Sequence, residues 1–407
     1  MDSAVRLRTA TPADLDAITD LMALVFHDRP SPEQRTAEQS ITEPERSIVA
    51  EQDGRVVGHA TALTRDLTVP GAIVPAAHVT GVGVAPTHRR RGVLTRMMRH
   101  QLEAIAADGR EPVAVLWASE PAIYPRYGYG PASTRLSMEI MNREVGLPEP
   151  AAGPAGRLRM IDPPAAVDEL AAVYERARAQ QVGLSSRGPK WWEYLLADHS
   201  EPHDDQTGPR GVLYEDDKGP AGYALWRVES RWSEWGPDAK VGVRETVTDG
   251  PEAYAAIWRF LLGIDLARTV QYWHAATDEP LQFLVGDARR LGRRYLDGLW
   301  IRLTDLPAAL EARQYATPLD VVIEVTDPIL ERNSGRWRLV GEPGKVACTR
   351  TADAPDFACS ITDLGAVYLG GTSLSALAAA GRVRSLTGNL PSAAFGWHRQ
   401  PHPVEVF

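Results

Sequence analysis

The sequence predicts an α/β protein of two similar mixed-sheet units and a third, different α/β module. Three observations predict it. From Val79 to Met98 an apolar strand, a basic glycine-bearing turn and a helix of apolar period follow one another directly. The same order of elements returns after a stretch rich in proline, alanine and glycine, Glu149 to Gly156, which reads as a linker. From about Leu296 the pattern changes to alternating strands. A chain of 407 residues exceeds one ordinary core and suits two or three domains. The expected domains are 1–148, 157–295 and 296–407.

The first domain opens with a short strand, Val5 to Arg8. Thr11 is the expected N-cap of the next helix, with Pro12 in its first turn and Asp14 near the positive end of its dipole. Leu15, Ile18, Met22 and Val25 form the apolar stripe. Ser47 to Gln52, Asp53-Gly54 and Arg55 to Leu63 read as a hairpin with a tight turn. After the basic turn, Leu94, Met97, Met98, Leu102 and Ile105 give one buried helix face, and Asp108-Gly109 is the expected stop. Val113 to Ser119 is nearly continuous in apolar residues and reads as a buried strand.

The second domain repeats this plan. Leu158 to Pro164 echoes the opening strand and its proline-started helix. Gly211 to Asp217, Lys218-Gly219 and Ala221 to Val228 echo the hairpin, and Val243 to Val247 precedes a helix over about Pro251 to Leu262. Here the turn reads Thr248-Asp249-Gly250-Pro251, acidic where the first copy is basic. An acidic turn repels phosphate, so this copy is expected to bind no phosphorylated ligand and to shape an acceptor pocket instead. The third module is expected to contain strands at Leu299 to Leu303, Asp320 to Val325, Gly335 to Val340 and Lys345 to Arg350. Ile361 to Leu369, Ser373 to Ala380 and Arg382 to Arg384 complete it.

Composition narrows the function classes. Hydrophobic residues make up 44% and charged residues 24%, the balance of a globular protein. A net charge of −9 disfavours nucleic acid and anionic membranes and suits a cationic substrate. The two cysteines, Cys348 and Cys359, form neither a Cys-x-x-Cys motif nor a disulfide framework, and are expected to be buried thiols in a reducing compartment. His398 and His402 stand four apart, but the intervening proline argues against a metal-binding helix, so no metal is expected. There is no apolar run of membrane-spanning length and no signal-peptide core at the N-terminus, which predicts a cytoplasmic protein without membrane insertion.

The chemistry concentrates in the basic turn. A helix N-terminus offers unpaired N–H groups and the positive end of its dipole. Arg89, Arg90 and Arg91 add positive charge, Gly92 permits close approach of the backbone, and Val93 and Leu94 open the helix. The expected guest is a phosphorylated cofactor. The run Arg89 to Leu94 resembles the acetyl-CoA loop of the GNAT N-acetyltransferases, with Arg89 and Gly92 matching and Leu94 standing where a small residue is usual. The longer string resembles the Eis (enhanced intracellular survival) branch of that superfamily, and the resemblance extends over the whole chain.

The resemblance implies a fold of two GNAT-like mixed-sheet domains, the second without cofactor, plus a C-terminal sterol-carrier-like α/β domain. It implies acetyl-CoA-dependent N-acetylation of small-molecule amines by direct transfer in a ternary complex. Aminoglycosides at more than one position and other polyamine or lysine acceptors are included by the same resemblance, and the implied assembly is a homohexamer. It also implies that the backbone around Val82, Gly83 and Val84 pairs with the pantetheine, and that the N–H of Val82 or Val84 is the oxyanion donor. In the segment Pro121 to Gly130, Tyr124 occupies the family's position for the general acid. A phenol with an ordinary pKa near 10 is protonated at neutral pH and able to donate.

The acceptor amine needs a base or a lowered pKa. The chain closes on Pro401-His402-Pro403-Val404-Glu405-Val406-Phe407, apolar enough to be packed down. By resemblance the α-carboxylate of Phe407 is the base. An α-carboxyl titrates about seven units below an ammonium, so full transfer in water would cost on the order of 9 kcal/mol. Burial, a water relay or neighbouring charges on the amine narrow that gap. Asp28, Glu33 and Glu405 are the candidate carboxylates for a polycationic acceptor, while Trp191 and Trp192 are expected in the core. The rival reading is a lipid- or partner-binding scaffold with a vestigial transferase domain; the intact arginine–glycine loop argues against it.

Overall fold

The protein is described from a computed structural model covering residues 4–148, 156–197, 206–342, 344–388 and 390–407. All but the last residue of the Glu149–Gly156 linker lies outside the described residues. The chain forms two compact units. One comprises Met1–Ser133, Gly298–Pro401 and Val406–Phe407, and the other Thr134–Asp297 and His402–Glu405.

The first unit contains a seven-stranded sheet. Its strands are β1 (Arg6–Thr9), β2 (Ser47–Gln52), β3 (Arg55–Val69), β4 (Ala72–Val84) and β5 (Val113–Trp117), followed in space by Leu299–Leu303 and Gly130–Pro131. β1 to β4 run antiparallel in sequence order, and β4 with β5 is the parallel pair. The β2–β3 turn is tight because Asp53 and Gly54 both adopt positive φ, +52° and +74°. Three helices matter: α1 (Leu15–Phe26), α2 (Pro32–Ile41) and α3 (Val93–Asp108), the crossover between β4 and β5. α3 buries Val93, Met97, Met98, Leu102 and Ile105, with Leu94 half-buried, and stops at Gly109 in the left-handed region. Thr11 caps not α1 itself but a 3-10 turn, Pro12–Asp14, that leads into it, and Asp14 accepts from the Thr11 backbone N–H at 2.7 Å.

The C-terminal module lies in this same unit. Its five-stranded sheet has the order Lys345–Arg350, Gly335–Glu342, Leu319–Thr326, Phe357–Ser360, Arg384–Ser385, with one parallel pair. Cys348 and Cys359 are both buried and free. The strand Leu299–Leu303, assigned by sequence to this module, instead completes the first sheet, antiparallel to β5 and to Gly130–Pro131. The reason is burial. All five of its residues are enclosed, and a strand buried on both faces belongs inside a sheet rather than at an edge. Arg302 within it is neutralised by Asp327, with hydrogen bonds of 2.8 and 2.7 Å.

The second unit repeats the plan. Its sheet runs Arg294–Asp297, Thr134–Met141, Ala267–Ala276, Ala239–Thr248, Gly219–Glu229, Arg210–Asp216, Arg157–Ile161. Ala239–Thr248 and Ala267–Ala276 are parallel, joined through the helix Pro251–Leu262. Thr134–Met141, which the sequence groups with residues 1–148, pairs here with Ala267–Ala276 and Arg294–Asp297. Its alternating pattern carries Leu136, Met138 and Ile140 into the core of this unit.

Candidate functional site

The basic turn forms an open helix start. Gly92 is the N-cap of α3 at φ +76°, and glycine brings no side chain to occupy the first N–H groups. Arg90 also has a positive φ, +63°, so the turn coils back on itself. Arg89, Arg90, Arg91 and Gly92 are all exposed, and the Arg89 Nε lies 3.4 Å from the Val84 carbonyl. Three arginines and a glycine-capped helix start therefore meet solvent where the dipole is positive. Val93 is buried and Leu94 half-buried, so these two anchor the helix from below.

β4 has two departures from a regular strand. The ladder with β3 pairs Thr80 with Thr61 and Gly83 with His59, leaving Gly81 and Val82 without partners in register. This is a bulge, and Gly81 accommodates it at φ +57°. The pairing with β5 covers only Ala76, Ala77 and His78, opposite Val113, Ala114 and Val115. β4 continues six residues further to Val84. Beyond His78, β4 therefore has no β5 partner, and an extended amide chain finds an unpaired strand to join.

The tyrosine loop follows β5. Tyr124–Tyr127 is a single 3-10 turn ending at Gly128, φ +83°. Tyr124, Tyr127 and Tyr129 are buried in one cluster, against which Val82 and Leu94 pack. The Tyr124 ring meets Tyr129 edge-on at 6.1 Å, and the Tyr127 hydroxyl lies 3.2 Å from Thr95 Oγ1 on the first turn of α3. Burial raises the Tyr124 phenol above its ordinary pKa, opposed by a hydrogen bond with Ser119, so it stays protonated at neutral pH. The helix Ile361–Val367 braces this loop from the C-terminal module. A Cβ on Gly130 would lie 2.0 Å from the Thr362 carbonyl oxygen, so the two backbones touch.

The chain end packs down. The Phe407 ring sits 4.6 Å from the ring of His78, the last β4 residue paired with β5. In the second unit Glu405 is 7% exposed and accepts from Arg187 Nε at 2.8 Å and Trp191 Nε1 at 3.0 Å. Arg187 also grips Glu245 through two bonds of 3.0 and 2.6 Å. The structure thus turns Glu405 inward as an anchor of the tail, because a buried carboxylate is stable only when paired. It does not offer this carboxylate to a soluble amine. Trp191 and Trp192 are buried, as expected.

Asp28 and Glu33 are exposed beside α1 and α2. Asp28 accepts from the Arg29 N–H at 2.8 Å; Glu33 accepts from the Ser31 hydroxyl at 2.9 Å, and hydrogen bonding holds its pKa below the ordinary value. Glu38 was not singled out by sequence. It is half-buried on α2, and burial together with the charge of Asp28 raises its pKa. Only spatial closeness to Asp28 marks it, and no linear pattern carries that signal.

Burial pulls His59 down to about 4 and His274 down to about 3 from the ordinary 6.5. Each is neutral when folded, so the unfolded chain binds protons first as pH drops. Their contribution is complete above about pH 6.5 and is lost as pH falls towards 4, at up to ~1.4 kcal/mol per proton and pH unit. Thermal melts should therefore be level from about pH 6.5 until tyrosines begin to ionise and fall steadily below pH 6.5, with a shallower fall in His59→Asn. Parallel curves for the two proteins would refute the assignment.

The matching turn of the second unit carries acidic side chains. Asp249 pairs with Arg176 at 2.7 Å, and Glu252 stands in the first turn of the helix Pro251–Leu262. Among the described residues no group of three or more His, Cys, Asp or Glu side chains could hold a metal, and no helix is long and apolar enough to cross a membrane.

Comparison with known proteins agrees with this architecture. Residues 6–132 and 183–303 each match a model described as an acetyltransferase (GNAT) domain, and residues 306–403 match a sterol carrier protein domain. An uncharacterized N-acetyltransferase of Streptomyces avermitilis is 44% identical over 87% of both chains. The N-acetyltransferase Eis of Mycobacterium tuberculosis is 36% identical over 94% of this chain and 93% of its own. The crystal structure of Eis1 from Mycobacterium abscessus superposes over the whole of both chains with a TM-score of 0.85 at 33% identity. With 36% identity to an Eis N-acetyltransferase over nearly its whole length, and two GNAT domains followed by a sterol carrier protein domain, this chain belongs to the Eis family of GNAT N-acetyltransferases.

Proposed function

We propose that this N-acetyltransferase moves the acetyl group of acetyl-CoA to amines of polycationic small molecules, aminoglycosides among them and at more than one position. The observation that carries the reading is the glycine-capped start of α3 under Arg89, Arg90 and Arg91, next to a strand that has lost its neighbour. These residues fit a CoA diphosphate: helix-start N–H groups, fixed positive charge and no competing carboxylate in the first turn. When bound, the thioester supplies an activated acyl carbon and a thiolate leaving group.

The roles follow from position. Arg89 to Leu94 hold the diphosphate, and Val82 to Val84 receive the pantetheine amides along the unpaired edge of β4. The N–H of Val82, in the bulge, donates to the carbonyl oxygen as negative charge develops there. The Tyr124 hydroxyl gives its proton to the departing sulfur. The Phe407 carboxylate takes the proton of the amine, whose own pKa is lowered by the other charges of a polyamine. Asp28 and Glu33, with Glu38, attract the cationic acceptor. The family resemblance adds the expectation of a homohexamer.

Calorimetric titration of the protein with acetyl-CoA tests the reading. Saturable binding is expected, weakened about tenfold or more in Arg91→Glu by loss of a charge-assisted contact. An absence of heat at saturating ligand would overturn it. Thiol release over a panel of amines, with mass shifts to count acetyl groups, then identifies the acceptors.

A further inference from the structure

His59 on β3 is only 2% exposed, and its Nδ1 lies 2.7 Å from the carbonyl oxygen of Gly81. A carbonyl oxygen can only accept, so Nδ1 carries the proton. The other ring nitrogen, Nε2, is buried and has no hydrogen-bond partner among the described residues, which suits a lone pair and not a second N–H. Burial also keeps the imidazole uncharged. The bond is local and close: a Cβ on Gly81 would lie 3.1 Å from both Nδ1 and Cε1 of the ring.

Gly81 is the bulge residue, without a ladder partner to fix its peptide plane. Its bond to Val82 is trans. In a trans peptide the carbonyl of one residue and the N–H of the next point in opposite directions. Whatever grips the Gly81 oxygen therefore aims the Val82 N–H.

We infer that His59 is a positioning residue for acyl transfer, holding the Gly81 carbonyl through Nδ1–H and so fixing the direction of the Val82 N–H. It touches neither thioester nor amine. The inference rests on the reading of the Val82 N–H as the oxyanion donor. A glycine in the left-handed region rotates its peptide easily, and a misdirected donor loses transition-state stabilisation without loosening cofactor binding.

Two measurements test it. In ligand-free protein, long-range 1H–15N correlation of the histidine rings should show His59 as the Nδ1–H tautomer at pH 7; an Nε2–H tautomer overturns the inference. In kinetics, His59→Asn keeps an amide donor at the place of Nδ1, whereas His59→Gln moves it one bond away. Both are neutral and polar, so a general folding defect would strike both. His59→Gln should lose about 100-fold in kcat at unchanged KM for acetyl-CoA, with His59→Asn recovering most of it. Equal losses in the two variants, or a loss confined to KM, overturn the inference. An ester in place of the Gly81–Val82 amide deletes the N–H itself. If the ester is harmless, the oxyanion reading fails and this inference with it. If the ester is damaging and His59→Gln is not, only the role of His59 fails.

Discussion

Tyr124→Phe is expected to lower kcat by about 100- to 10,000-fold, the usual contribution of a positioned general acid, while acetyl-CoA still binds. The substitution is clean because the ring remains. Tyr124 packs by its face and edge within the Tyr127–Tyr129 cluster, and only the hydroxyl is lost. Burial holds the phenol protonated well into the alkaline range. The basic limb of the kcat profile in the unaltered enzyme should therefore fall above the ordinary tyrosine pKa and vanish in the variant. Steady-state kinetics beside calorimetric titration separate the two steps. Near-normal turnover would leave the tyrosine as packing only.

Extending the chain beyond Phe407 should be as damaging. The α-carboxylate exists only where the chain stops, and an added peptide bond converts it into a neutral amide. The Phe407 ring keeps its place on His78 in such a variant, so the loss should appear in kcat, by about 100-fold or more for a missing general base. The anchor two residues earlier supports this separation. Glu405 remains paired with Arg187 when residues are added after 407, and the melting temperature should scarcely move. An N-terminal extension of the same length is the control. A fully active C-terminally extended enzyme would remove the carboxylate from the mechanism.

The fold was largely legible in the sequence because its signals are local. Asp53-Gly54, the α3 stripe and the Gly109 stop each depend on neighbours a few residues away, and the echo of the first domain in the second is a repetition of such signals. Strand partnership is not local. Nothing in the linear pattern of Leu299–Leu303 says that β5 rather than the C-terminal sheet awaits it, although its complete burial shows once the sheet is formed. The site divides the same way. The arginine–glycine turn and the tyrosine segment are contiguous motifs. Glu405 reads in sequence as a candidate carboxylate for a cationic acceptor, and only Arg187, 218 residues away, reveals it as an anchor. His59 carries no motif at all; its meaning depends on a bulge in the neighbouring strand.

The placement of Leu299–Leu303 has a consequence for how such a chain can be shortened. A fragment ending with the first matched domain would lack the strand that seals β5, baring a row of backbone groups and an apolar flank ready to stick to other molecules. The second sheet has the mirror dependency, since it borrows Thr134–Met141 from ahead of its own matched segment. Gene boundaries drawn at the two matches would cut through hydrogen-bonded ladders, so neither matched segment alone carries its complete sheet.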